Sequence, residues 1–121
     1  MASILLADDD GAVRELVSRA LIGEGHSVHV TQDGLEAFEL FEARGAAFDL
    51  VVSDVEMPQL DGVSLVRQVL AQKPTLAIVL MSGFSDQLDR AQDLGSRRLI
   101  SISKPFTLEQ IKQAVKAALE S

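Results

Sequence analysis

The chain has no cysteine, which removes disulfide frameworks and thiolate metal sites together and leaves the redox compartment open on that ground. It has only two histidines, His26 and His29, both in a segment read as an edge strand away from any crevice, which speaks against a histidine phosphocarrier. No apolar stretch reaches the roughly 18 residues of a membrane helix, and the N-terminus lacks the charged-then-apolar pattern of an export signal. No membrane contact is expected, and the expected location is cytoplasmic. Positive charge is scarce: 11 Lys and Arg against 18 Asp and Glu leave a net charge of −7, without a long basic run. Such a field repels a nucleic-acid backbone, so no direct nucleic-acid binding is expected. Repeats, linkers and low-complexity tracts are also missing, and 121 residues read as one domain, 1–121, with a single buried core.

Against these absences stand four short apolar runs, each ending on a residue that can handle a phosphoryl group. Ile4 to Ala7 leads into Asp8, Asp9 and Asp10; Leu50 to Ser53 into Asp54; Ala77 to Met81 into Ser82; Leu99 to Ser103 into Lys104 and Pro105. The runs are rich in Val, Ile and Leu and alternate with segments of helical spacing, the sequence sign of parallel strands joined by crossover helices. Ser27 to Thr31 adds a fifth strand that alternates apolar and polar residues. Five helices are expected. The first carries Val13, Leu16, Val17, Ala20 and Leu21 on its core stripe, and the second, from about Leu35, carries Ala37, Phe38 and Phe41. The third, after Gly62, carries Leu65, Val66, Val69 and Leu70. A weaker helix covers Ser85 to Leu94. The last opens on a Thr107–Gln110 capping box and turns Leu108, Ile111, Val115 and Ala118 inward.

Strands one, three and four are continuously apolar, as in strands covered on both faces, whereas two and five alternate, as at edges. The order 2-1-3-4-5 satisfies this. It is a doubly wound parallel sheet whose order reverses between strands one and three, and ligands of such sheets bind at the carboxyl ends of the strands near that reversal.

Asp8, Asp9 and Asp54 would meet there. Carboxylates about 5 Å apart repel by roughly 3 kcal/mol per pair at an effective dielectric near 20, so the cluster calls for a cation. Oxygen ligands alone, without His or Cys, select a hard ion, and Mg²⁺ is the expected one. A metal beside a carboxylate, with an ammonium and a hydroxyl opposite, can neutralise an in-line phosphoryl transfer onto that carboxylate. Asp54 is the natural acceptor, with Ser82 and Lys104 opposite it. Asp10 reads instead as an N-cap of the first helix, and Met57-Pro58 and Asp61-Gly62 as residues that shape the loop beyond Asp54 and start the third helix.

The same residues carry a family resemblance over essentially the whole chain. Ile-Leu-Leu-Ala-Asp8-Asp9-Asp10, Asp54-Val-Glu-Met57-Pro58-Gln-Leu-Asp61-Gly62, Met-Ser82-Gly83 and Ser-Lys104-Pro105-Phe106 together resemble a response regulator receiver domain of two-component and phosphorelay systems. The resemblance implies a flavodoxin-like fold, whose 2-1-3-4-5 order a receiver protein itself exemplifies. It implies phosphorylation of Asp54 from a phosphohistidine donor, a histidine kinase or histidine phosphotransfer protein. It implies Mg²⁺ held by Asp9, Asp54 and the main-chain carbonyl of Glu56, with Asp8 helping through water. Ser82 and Lys104 would contact the phosphoryl oxygens, and the Lys104–Pro105 peptide would be cis. No enzymatic turnover is implied beyond self-catalysed phosphotransfer and autodephosphorylation.

Two departures from the family pattern stand out. Ser101 occupies the position, three residues before the lysine, where most receivers carry a switch aromatic. The response is therefore expected in the loop after Ser82 and the helix beyond it. Arg97, Arg98 and Leu99 make a usually small stretch both basic and apolar, read either as a solvated loop or as a docking spot for an acidic partner. With no output domain after the last helix, the signal is expected to be read by another protein, with a protease or adaptor target among the candidates. A phosphoryl shuttle, or a receiver excised from a larger regulator or hybrid kinase, fits the same residues. A Mg²⁺-dependent phosphohydrolase of the haloacid dehalogenase type fits less well: its Asp-x-Asp pair follows the first strand, and 121 residues leave no room for a cap. An inert interaction module is disfavoured because the acid, hydroxyl and lysine positions are all intact.

Overall fold

A computed structural model describes residues 1–83 and 98–120. Five strands, β1 (Ser3–Ala7), β2 (Ser27–Thr31), β3 (Leu50–Asp54), β4 (Ala77–Ser82) and β5 (Leu99–Ser103), form one sheet in the order β2-β1-β3-β4-β5. All four pairings are parallel. The expected order and edge strands are therefore present, and the reversal lies between β1 and β3.

The described residues contain four helices: α1 (Gly11–Gly23), α2 (Gly34–Arg44), α3 (Gly62–Gln72) and α4 (Leu108–Glu120), with a 3-10 turn at Gly45–Ala47. The helix expected over Ser85 to Leu94, together with Phe84 and Arg97, lies outside the described residues. In β1, Leu5 and Ala7 enter a core shared with α2 and α3, while Ile4 and Leu6 enter a core shared with α1 and α4. Adjacent side chains on a strand point to opposite faces, so a continuously apolar run is what a sheet covered on both sides requires.

Each helix starts on a side-chain cap. Asp10 accepts from the N–H groups of Ala12 and Val13, Asp33 from Glu36, and Asp61 from Ser64. Thr107 and Gln110 exchange reciprocal bonds of 2.8 and 3.1 Å. Caps of this kind satisfy N–H groups that the helix itself leaves unpaired. They also fix where the loops leave the carboxyl edge of the sheet.

Two inward assignments need correction. Leu16 is 47% exposed and Leu108 is 41% exposed. Both lie at the margin of an apolar stripe, where helical spacing alone does not say how far a neighbouring element reaches. Arg98 is also not part of a free basic patch. Its guanidinium donates to the main-chain carbonyls of Thr75, Ala118 and Leu119 at 3.0 to 3.2 Å, closing the C-terminal end of α4, where helix carbonyls lack partners and favour a cation.

Candidate phosphoacceptor and metal site

The carboxyl edge of the sheet gathers the predicted residues. Asp8 and Asp9 follow β1, Asp54 closes β3, Ser82 closes β4 and Lys104 follows β5. Carboxylate oxygens of Asp8, Asp9 and Asp54 lie within 4.8 Å of one another; Asp8 and Asp54 are buried and Asp9 is exposed. Access to the cluster is therefore from the Asp9 side.

Asp8 is held from several directions. Its Oδ1 accepts from the N–H of Asp10 at 2.9 Å, and its main-chain carbonyl accepts from Arg14 Nη1 at 2.8 Å. Arg14 is a positioning contact that sequence reading did not single out, since nothing in its place on the first turn of α1 marks its partner. Lys104 stands across from the acids, with Nζ 3.4 Å from Asp8 Oδ2 and 3.2 Å from Asp54 Oδ1. The cis peptide expected between Lys104 and Pro105 is present.

Lys104 faces the two buried carboxyls, Asp8 and Asp54, and their burial appears in the protonation of both. Burial raises the Asp54 carboxyl from its ordinary 3.8 to about 6; the Asp8 charge adds to this and Lys104 opposes it. Burial likewise raises Asp8, against the Asp10 N–H and the Lys104 charge. For Lys104, burial pulls the ammonium down, but the Asp54 and Asp8 charges outweigh it and the net shift is upward. Asp54 Oδ1 is buried and, for all its nearness to Lys104, accepts no hydrogen bond among the described residues. An ion pair without hydrogen-bond geometry leaves part of that oxygen's demand unmet.

The loop beyond Asp54 is shaped by its backbone. Gly62 donates its N–H to the Val55 carbonyl at 2.9 Å, and a Cβ placed on Gly62 would fall on the main-chain carbonyl of Asp54. Only glycine allows α3 to start so close to Asp54. Between them, Leu60 N–H bonds the Pro58 carbonyl at 2.9 Å across Gln59, which has φ 73°, a γ-turn that Pro58 helps to open.

Other predicted residues fall as follows. Ser82 is fully buried, and its Oγ donates to the Glu56 side chain at 2.9 Å. The sequence reading gave Glu56 a role only through its main-chain carbonyl. Ser101 is exposed on β5. His26 accepts from the Ala2 N–H, and His29 packs edge-on against Phe48 with ring centroids 5.3 Å apart, both away from the acid cluster.

The donor set fits a hard divalent cation. It offers oxygens only, two of its carboxylates are buried, and one of them has an oxygen lacking a hydrogen-bond donor. A cation there would meet charge that the protein leaves uncompensated.

Comparison with known proteins agrees with this geometry. The family model of the response regulator receiver domain matches residues 4–116. The chain is 36% identical over 119 residues to the sensor kinase CckA of Brucella abortus (strain 2308), covering 98% of this chain and 13% of that protein. It is 37% identical over 116 residues to the response regulator MprA of Mycobacterium sp. (strain KMS), covering 96% of this chain and 50% of that one. The chain thus spans half or less of these relatives. Among solved structures, the receiver domain of NtrX from Brucella abortus aligns with a TM-score of 0.86 at 30% identity, covering 98% of each chain.

Proposed function

The chain belongs to the response regulator receiver domain family, and from that membership we propose that it is a phosphoacceptor in two-component signalling, modified on Asp54 with Mg²⁺. The observation that carries this reading is the buried Asp54 carboxylate set between two further acids and a lysine 3.2 Å away. Asp8, Asp9, Asp54 and the Glu56 carbonyl would hold the Mg²⁺. Bound there, the ion supplies positive charge against the acids' mutual repulsion and against the oxygens of the transferred group.

The protein's own residues carry the remaining requirements. An Asp54 carboxylate oxygen forms a bond to phosphorus as the bond from phosphorus to the donor's leaving atom breaks, and the leaving group departs with that electron pair and gains a proton. Lys104 neutralises phosphoryl charge at the acceptor, and Ser82 supplies a hydroxyl hydrogen to a phosphoryl oxygen. Burial holds Asp54 away from bulk water, which strengthens each of these charge contacts.

The donor is a protein phosphohistidine, from a histidine kinase or a histidine phosphotransfer protein. Such a donor must rest against the surface beside Asp54. An apolar notch of about 350 Å³ lined by Val13, Leu16, Lys104, Pro105 and Phe106 offers that surface, and it accounts for an exposed leucine on α1. The protein acts in the cytoplasm as a signalling switch and not as an enzyme with turnover; a downstream protein reads the modified form.

The test is intact mass after incubation with Mg²⁺ and a small acyl phosphate. One phosphoryl adduct is expected in the wild type and none in Asp54→Asn or without Mg²⁺. An adduct that survives Asp54→Asn, or hydrolysis of a generic phosphomonoester with turnover, would refute the proposal.

A further inference from the structure

Glu56 lies two residues beyond Asp54, and its side chain reaches the end of the neighbouring strand. Ser82 Oγ donates to Glu56 Oε2 at 2.9 Å, and the Gly83 N–H approaches Glu56 Oε1 at 3.4 Å. The serine is fully buried and the glutamate is half-buried. A serine hydroxyl has one hydrogen to give. While Glu56 accepts it, an oxygen arriving on Asp54 cannot. The bond is charge-assisted, and so stronger than one to a neutral acceptor.

We infer that the Glu56 side chain latches the Ser82 hydroxyl in the unmodified protein, so that Ser82 must give up the Glu56 carboxylate before it can reach a phosphoryl oxygen on Asp54. The inference rests on Asp54 being the acceptor, as proposed above. Glu56 is a positioning residue here, acting through Ser82.

The exchange has a thermodynamic consequence. Breaking the Glu56–Ser82 bond is part of forming the modified arrangement, so the latch lowers affinity for any phosphoryl mimic on Asp54. Removing Glu56 raises that affinity. The gain depends on Ser82, because a hydroxyl that is absent cannot be held back. Simple repulsion between Glu56 and the incoming charge also predicts a gain, but one indifferent to Ser82. The two accounts separate in a double-mutant cycle.

Beryllium fluoride with saturating Mg²⁺ serves as the mimic. The chain contains no tryptophan, so titration calorimetry is the readout, with circular dichroism to confirm the fold of each variant. Glu56→Ala is expected to bind the mimic about tenfold more tightly than wild type. Glu56→Gln, which keeps an acceptor oxygen, is expected to gain less. In a Ser82→Ala background, Glu56→Ala is expected to change affinity by less than about twofold. Equal gains in both backgrounds, or no gain in either, would overturn the latch while Asp54-dependent binding in the wild type leaves the acceptor assignment standing. No binding by the wild type, or binding that persists in Asp54→Asn, would overturn both.

Discussion

The two edges of the sheet spend their charged side chains in opposite ways. At the amino edge, Arg98 donates to three main-chain carbonyls, Lys73 Nζ donates to the Phe48 carbonyl at 2.6 Å, and Asp49 accepts from the Ser3 N–H at 2.8 Å. Each of these charged groups pairs with a main-chain dipole, which stabilises turns and a helix end. At the carboxyl edge, Asp8, Asp9 and Asp54 face one another with a single lysine between two of them. Burying like charges together costs folding free energy, and it is tolerated where a ligand is to supply the missing charge. One sheet thus has an edge whose charges are paired with the main chain and an edge whose acids crowd together.

If this division is correct, substitutions at the two edges should affect different measurements. Asp9→Ala is expected to lower Mg²⁺ affinity by at least about a hundredfold, roughly 2.7 kcal/mol, in calorimetry. Its melting temperature in chelator should not fall, because an exposed acid is being removed from a repulsive cluster. Gly62→Ala strikes the Asp54 main chain; a cost of about 2–3 kcal/mol in denaturant melts is expected, with weaker Mg²⁺ binding as the Asp54 carbonyl shifts. Arg98→Ala should cost about 2 kcal/mol of stability by leaving carbonyls unpaired, with Mg²⁺ affinity within about twofold of wild type. Loss of Mg²⁺ affinity in Arg98→Ala would blur the comparison; a stability loss in Asp9→Ala would break it.

Strand order and site were both readable from the sequence for the same reason. Residues Ile4 to Ala7 and Leu50 to Val52 are apolar on both faces, which only interior strands allow, and the acid that follows each strand's buried run marks the shared carboxyl edge. Contacts that depend on side-chain reach were not readable. Arg98 gave a charge in the sequence but no partner, since its carbonyl acceptors come from the turn before β4 and from the end of α4. Leu16 sits within the helical apolar spacing yet is exposed, because the loop carrying Lys104, Pro105 and Phe106 leaves a notch above it. Glu56 is a single acid in a loop without periodicity, and its bond to Ser82 follows from the register of β3 against β4. Nothing in its immediate sequence carries that register.

The central claim, that the carboxyl edge holds charge in need of a cation, is tested most directly by comparing thermal stability of wild type and Asp54→Asn with and without Mg²⁺. Asp54 has a folded pKa raised from 3.8 to about 6, so the folded state holds this proton more tightly than the unfolded state. The wild type therefore loses stability as pH rises through that window. In chelator at pH 7.5, Asp54→Asn should be the more stable by on the order of 1–3 kcal/mol. That advantage should shrink as pH falls through 6 and be gone near 3.8. Added Mg²⁺ should stabilise the wild type more than the variant and close or reverse the gap at pH 7.5. A wild type that is at least as stable as Asp54→Asn in chelator at pH 7.5, and unmoved by Mg²⁺, would contradict the account.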